Sequence, residues 1–295
     1  MKSKKSVLLV LIAATFWGTA GIFVRSLTAF GIEAMQTVFG RAVFSALIFA
    51  VIILLKDPSL FKIKLRDIWA FFCLGFFSIV MFNYCYYKTM SLSSLSTAAV
   101  LLYTAPFFVI IISAVLFKDK ITFKKAFACI TAFIGCCFVS GAFSQRQTIS
   151  AECIFFGLMT GFGYGLYTIF SNILFKRKYQ TLTINFYAFL FALIMSLPFS
   201  KPVETIKNLS DRPISILIVF LMAVINTVIP YICYTAALKK LDGPIALIIA
   251  TLEPVVATLI GFLVFKEALT VHSAIGIILV LGSVVILHKG ERNAT

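Results

Sequence analysis

From Ser6 to Val24 the chain carries no charged side chain, and runs of the same kind recur down its whole length. In the first half they cover Ala34 to Leu55, Ile68 to Tyr87, Ser94 to Phe117 and Ala126 to Gln145. In the second they cover Cys153 to Phe175, Tyr179 to Ser200, Pro213 to Leu238, Gly243 to Phe265 and Leu269 to Leu287. Only Arg41 and Glu253 interrupt them with a charge. About 20 apolar residues of helix cross the hydrocarbon core of a bilayer. Inside that core every backbone N–H and C=O must be paired within the protein, which leaves helices and closed barrels as the structures that span it. The pattern predicts an all-α integral membrane protein with ten transmembrane helices, numbered here as spans 1 to 10.

Composition agrees. Soluble domains are about half apolar and about a quarter charged, whereas this chain is 61% hydrophobic and 13% charged. The net charge of +15 invites a nucleic-acid reading, but the basic residues stand singly between apolar runs and form no basic face. They read as topology charges, so no nucleic-acid partner is expected and the lipid bilayer is. The seven cysteines, Cys73, Cys85, Cys129, Cys136, Cys137, Cys153 and Cys233, all lie in apolar stretches without metal or redox spacing. They read as small packing residues, and no metal or cofactor is expected. The first run follows Lys2, Lys4 and Lys5, as a signal peptide would. It is longer than a signal core and carries Trp17 where a small residue would be needed for cleavage, so it reads as an uncleaved first span.

The ten runs divide into two copies of one pattern. Tyr86 to Thr122 and Tyr234 to Thr270 superpose without a gap at an offset of 148 residues, matching at Tyr86/Tyr234, Ala98/Ala246, Pro106/Pro254, Ile112/Ile260, Phe117/Phe265, Lys118/Lys266 and Thr122/Thr270, with Asp119 opposite Glu267. The matched proline and the Phe-Lys-acid step carry most of the weight. The charges beyond that step differ: Lys120, Lys124 and Lys125 in the first copy face Ala268, His272 and Ser273 in the second. Basic residues of short loops stay cytoplasmic, so the equivalent loops are expected on opposite sides of the membrane. Lys and Arg also crowd both termini and the loops after spans 2, 6 and 8, which predicts both termini in the cytoplasm. The expected architecture is two inverted five-helix repeats, residues 1–145 and 146–295, the plan of secondary transporters.

Several residues then resemble a known family. Phe16-Trp17-Gly18 in span 1, Arg41 early in span 2, Asn83 three residues before Tyr86 with Ala98 after it, Leu252-Glu253-Pro254 in span 9, and the Phe-Lys-acid ends of spans 4 and 9 are similar to the drug/metabolite transporter superfamily, EamA type. The resemblance covers essentially the whole chain. It implies a multi-pass carrier of small molecules, exporting amino acids or other small metabolites, with import in fewer members and the substrate left open; the plain first span and compact loops point to a bacterial cytoplasmic membrane.

In an inverted-repeat transporter the substrate site lies near the midplane between the halves. Trp17, Tyr103, Tyr164, Asn226 and Glu253 fall closest to span centres; Tyr167 lies one turn from Tyr164, and Tyr86, Tyr231 and Tyr234 lie toward the ends of spans 3 and 8. With Arg41 and Asn83 they form the candidate substrate-binding set. Glu253 is the one acidic residue deep in a span, where an ionised carboxylate is expensive unless it is paired or faces water. It is a candidate for proton coupling or substrate contact, for a structural hydrogen bond beside Pro254, or for an ion pair with Arg41. Arg41 itself is expected to fix a helix or to bind a substrate carboxylate. Trp17, Tyr103 and Tyr164 are expected to line a cavity, since a buried Tyr hydroxyl needs a partner, whereas Tyr84, Tyr87, Tyr179 and Tyr231 fit an interfacial belt. Aromatic walls with few charges suit amphipathic solutes such as neutral amino acids, or a lipophilic cation held by cation–π contact. Gly157, Gly161 and Gly165 in span 6 favour close helix approach. Mid-span prolines 106, 198, 230 and 254 are expected to kink their helices.

Two other classes fit less well. A membrane enzyme would want clustered acids or a His near them, yet His272 and His288 lie near opposite ends of span 10. His272 reads as a helix-end residue. A channel would show rings of like residues from several subunits, whereas one chain here holds both halves. A monomer suffices for a carrier, a dimer is compatible with it, and protons are the candidate coupling ion.

Overall fold

The computed structural model describes residues 2–142 and 149–292, and every regular element among them is helical. Eight helical segments are long and apolar enough to cross a membrane: Lys4–Ala29, Ala34–Lys56, Leu65–Leu92, Leu95–Phe117, Ala151–Lys176, Thr181–Ser200, Pro213–Leu238 and Gly243–Phe265. They stand where spans 1 to 4 and 6 to 9 were expected. At the places of spans 5 and 10 lie two shorter apolar stretches, Phe123–Val139 and Val271–Leu287. Seventeen residues make a helix of about 26 Å, at the short end for spanning.

Span 5 differs from its expected limits of Ala126 to Gln145. Its helix starts at Phe123 because the Thr122 hydroxyl accepts a bond from the Lys125 N–H at 3.3 Å, and it ends at Val139, just before Gly141 at a φ of 73°. Gln145 and Arg146, and with them the expected boundary between the halves, lie outside the described residues.

The irregularities of the helices recur at the offset of 148 found in the sequence. Span 3 contains a π-helical turn at Phe76–Met81 and span 8 has one at Val224–Val228. Span 4 breaks at Tyr103 and Thr104, span 9 at Thr251. Lys118 and Lys266 end the second halves of these two spans in the left-handed region, at φ of 59° and 58°. The prolines explain part of this. Two of them begin helices instead of kinking them: Pro106 and Pro254 stand in the first turn after an interruption, where the absent N–H breaks no helical bond, while Pro230 lies directly after the π turn inside the continuous helix Pro213–Leu238. Pro198 sits in the last turn of span 7. The expected mid-span kinks are therefore full breaks or π turns.

Span 1 packs on spans 8 and 9, span 6 on spans 3 and 4, span 2 on span 7, and span 5 on span 10. Where spans 5 and 10 cross, Gly135 and Gly276 let the backbones touch: a Cβ on Gly276 would stand 2.6 Å from the Gly135 carbonyl oxygen. The span 6 glycines act in the same way. Gly157 faces Leu101, Gly161 faces Thr104 at the break of span 4, Gly163 faces the Phe77 carbonyl in the π turn of span 3, and Gly165 faces Val109. Each lets a straight helix lie against an irregular one, the close approach that small residues allow between membrane helices. The outer faces stay apolar, as at Val115, Leu263 and Ile278, and need hydrocarbon as their solvent.

Candidate functional site

The interruptions of the spans meet at one level in the middle of the bundle. Span 1 is interrupted at Thr19, where Asn226, in the π turn of span 8, donates its amide to the Phe16 carbonyl and to the Thr19 hydroxyl at 2.9 Å. Gly18 lies directly on the start of the second half of span 9, its Cβ position 2.9 Å from the Glu253 carbonyl oxygen. A helix end exposes unpaired N–H groups, which favours an acid in its first turn, and Glu253 occupies that turn. The break thus gives the carboxylate a local reason to be there.

Around this level an aromatic cluster closes. The Trp17 ring stands 5.5 Å from Tyr231, 5.3 Å from Tyr234 and 6.3 Å from Tyr164, and Tyr167 packs edge-on against Tyr231 at 4.9 Å. Together with Ser78 and Leu247 these five rings enclose a void of about 10 Å³, room for about one water. Two hydrogen-bond sets hold the rings: Tyr167 donates to Asn185 at 2.5 Å and meets Thr235 at 2.7 Å, and Tyr234 pairs with Thr168 at 2.7 Å. Ser78, buried in the π turn of span 3, lines the void and its hydroxyl has no partner among the described residues.

The two intramembrane charges flank the cluster. Tyr164 donates its hydroxyl to Glu253 at 3.4 Å, and Tyr86 and Tyr103 lie within electrostatic reach of the same carboxylate. Arg41, on span 2, is near enough for its charge to act on the Tyr87 and Tyr231 hydroxyls, and the Glu253 charge acts on Tyr231 as well. Among the described residues no ion pair joins Arg41 to Glu253, and Arg41 has no hydrogen-bonding partner.

Of the residues singled out in the sequence, Trp17, Tyr164, Tyr167 and Tyr234 line the void, while Tyr86, Tyr103 and Glu253 form a second group joined to it through Tyr164. Asn83 and Asn226 turn their amides to backbone carbonyls, Asn83 to Ile79 at 2.7 Å. Tyr231 is the correction: the interfacial reading placed it at a membrane surface, and it is 9% exposed inside the cluster. It follows Pro230 directly after the π turn of span 8. Ser78, Thr168, Asn185 and Thr235 carry no sequence signal that would separate them from ordinary small polar residues in a membrane helix.

On the face that carries the loops 118–122, 176–180 and 239–242, a wider hollow of about 390 Å³ opens between Phe117, Asp119, Asn172, Lys176, Lys239 and Gly243. Gly243 forms the common wall of hollow and core, since its Cβ position is 2.6 Å from Thr168 Cγ2 and 3.0 Å from Asn172 Nδ2. The Thr168–Tyr234 bond lies just behind that wall.

The sequence model of the EamA-like transporter family matches residues 4–141 and again residues 151–288. The chain belongs to the EamA-like transporter family. Relatives agree with that membership along the full length. This EamA-like chain is 26% identical to an uncharacterized transporter of Archaeoglobus fulgidus over 97% of its own length and 99% of the relative's. It is 23% identical to the uncharacterized inner membrane transporter YicL of Salmonella typhimurium over 98% and 97%. A shorter match, 24% identical over 58% of the chain and 60% of the relative, is to the riboflavin transporter ImpX of Fusobacterium nucleatum. A crystal structure at 15% identity superposes with a TM-score of 0.81 over 99% of both chains, so this EamA-like chain shares its fold. It is a multi-pass membrane protein of a transporter family.

Proposed function

We propose that the chain is a secondary carrier that exports a small amphipathic metabolite, with zwitterionic amino acids as the first class to test. In this reading all ten spans cross the bilayer as two inverted halves, 1–145 and 146–295, with the Lys-rich face cytoplasmic. The observation that carries it is the aromatic cluster with one unpaired cation and one carboxylate on its flanks. Arg41 would take the substrate carboxylate, Glu253 its ammonium group or a coupling proton, and the rings of Trp17, Tyr164, Tyr231 and Tyr234 its apolar part. The void of about 10 Å³ is far below the several hundred Å³ of a metabolite site. Binding therefore requires the halves to part, as rocking of inverted repeats would do. No step of this scheme forms or breaks a covalent bond, so the chain is read as a carrier and not as an enzyme.

The test is uptake and counterflow of a mixed amino-acid pool in proteoliposomes, with and without a pH gradient, for the wild type and Glu253→Gln. Gradient-driven accumulation lost in the variant while counterflow survives assigns the proton to Glu253. Equal transport by both proteins makes the carboxylate structural. A second reading, efflux of lipophilic cations, is favoured by five aromatic rings joined through Tyr164 to a carboxylate. It predicts that such cations, and not amino acids, move in the same assay. Riboflavin, named for one relative, belongs in the pool.

A further inference from the structure

The two ends of the bundle carry the same small device in two different states. At one end the Phe-Lys-acid step of span 9 closes onto span 1: Arg25 lies over the Phe265 ring at 4.2 Å and its guanidinium pairs with Glu267 at 2.7 Å. At the other end the equivalent step of span 4 faces the equivalent helix, span 6. Lys176 lies over the Phe117 ring at 4.0 Å, three residues beyond the counterpart of Arg25 at the offset of 148, and so on the same helical face. Here the ring contact is made and the ion pair is not. Asp119, the counterpart of Glu267, has no ion pair among the described residues and lines the open hollow of about 390 Å³ beside Lys176.

The backbone that presents both acids is the same. The N–H groups of Lys118 and Asp119 turn back to the Ser113 carbonyl, and those of Lys266 and Glu267 to the Gly261 carbonyl. Both lysines are left-handed. Backbones and ring contacts are alike at the two ends, so what separates them is the ion pair, made at one end and replaced at the other by the hollow that Asp119 and Lys176 line.

We propose that Arg25 and Glu267 form a latch that holds the far face shut, and that Lys176 and Asp119 form its counterpart, closing the Lys-rich face in the opposite state. The structure is then the state with a hollow on the Lys-rich face, where the Lys176–Asp119 pair is unmade while Lys125 and Asp242 bridge the rim at 2.8 Å. The inference rests on the carrier reading and deepens it by naming the two contacts exchanged in each cycle. Because each pair exists in one state alone, removing it shifts the balance between the states and leaves the fold intact.

Hydrogen–deuterium exchange on the full-length protein in lipid nanodiscs tests this without a known substrate. Glu267→Gln is expected to raise exchange in residues 24–30 and 265–270 and, at the same time, to lower it in 117–122 and 172–178. The shift expected from a half-exposed pair is about two- to fivefold in the ratio of the states. Asp119→Asn is expected to move the same segments in the reverse direction. The charge swap Arg25→Glu with Glu267→Arg is expected to restore the wild-type pattern. A rise confined to the mutated face in Glu267→Gln, with nothing at the other, overturns the latch. So does wild-type exchange at both faces. Solute transport by the same wild-type preparation separates the two ideas: transport with no reciprocal exchange leaves a carrier without this latch.

Discussion

Tyr231 shows what a single side chain can be asked. Its ring touches Trp17, Tyr167 and Phe189 at 5.5, 4.9 and 5.0 Å, yet no hydrogen bond to its hydroxyl occurs among the described residues. Tyr231→Phe is therefore expected to change thermal stability in detergent by less than about 0.5 kcal/mol while raising the KM for transport. Tyr231→Ala should cost about 3–5 kcal/mol, as for other buried aromatics. An unaltered KM in Tyr231→Phe would remove the hydroxyl from the substrate site. Lys118 and Lys266 make a second residue-scale case. Both hold a left-handed φ that costs a residue with a Cβ about 1–2 kcal/mol, so Lys118→Gly and Lys266→Gly are each expected to stabilise by up to about 1 kcal/mol, read as a rise in Tm. Of the site itself, sequence reasoning could find Trp17, Tyr164 and Glu253, because a polar or aromatic group at mid-span stands out against Leu, Ile and Phe. It missed Tyr231 because a Tyr toward a span end fits the interfacial belt equally well, and only the packed rings of Trp17, Tyr167 and Phe189 show that it faces the core.

At the scale of the element the telling features are glycines and breaks. Gly161 faces the break of span 4, with its Cβ position 2.3 Å from Thr104 Oγ1 and 2.7 Å from the Leu101 carbonyl. Gly161→Ala forces backbone apart and is expected to destabilise by about 1–3 kcal/mol. Gly21 in span 1 is the control: nothing lies within 4 Å of its Cβ position, so Gly21→Ala should be neutral or stabilise by up to about 1 kcal/mol through helix propensity. Equal losses of Tm in the two variants would mean that glycine serves pliability, not packing. Asn226 ties two breaks together, and Asn226→Leu leaves the Phe16 carbonyl and Thr19 hydroxyl without it, a loss of about 1–3 kcal/mol. The stripe of glycines in span 6 was legible from spacing alone. The π turns were not, because no residue type marks the insertion of one extra backbone unit; it becomes visible only when the packed neighbour is known.

The whole molecule is asymmetric where its sequence halves are alike, open by a hollow on the Lys-rich face and closed at the core. Its orientation has a direct test in intact cells. A cysteine replacing exposed Lys120 should react with an impermeant thiol reagent only after the membrane is opened, and one replacing exposed Lys207 should react from outside. The background should be low, since the native cysteines are buried or partly buried. Reaction of both from one side would reverse or dissolve the inverted topology. A crosslink that fixes spans 4 and 9 at their facing ends is expected to stop transport, and full activity in the linked protein would argue against rocking halves.

By itself the sequence determined that this chain lives in a bilayer, that its length is divided into helices, and that its pattern is written twice. These follow from local quantities: apolar run length, the placement of loop charge, and an offset of 148 between matched residues. The tertiary structure decided which aromatic rings meet, that Arg41 and Glu253 form no ion pair among the described residues, and that Arg25 pairs with Glu267 while Asp119 has no ion pair there. Those depend on the relative position of spans distant in the chain, and a half-exposed ion pair worth about 0–1 kcal/mol leaves no mark on local sequence.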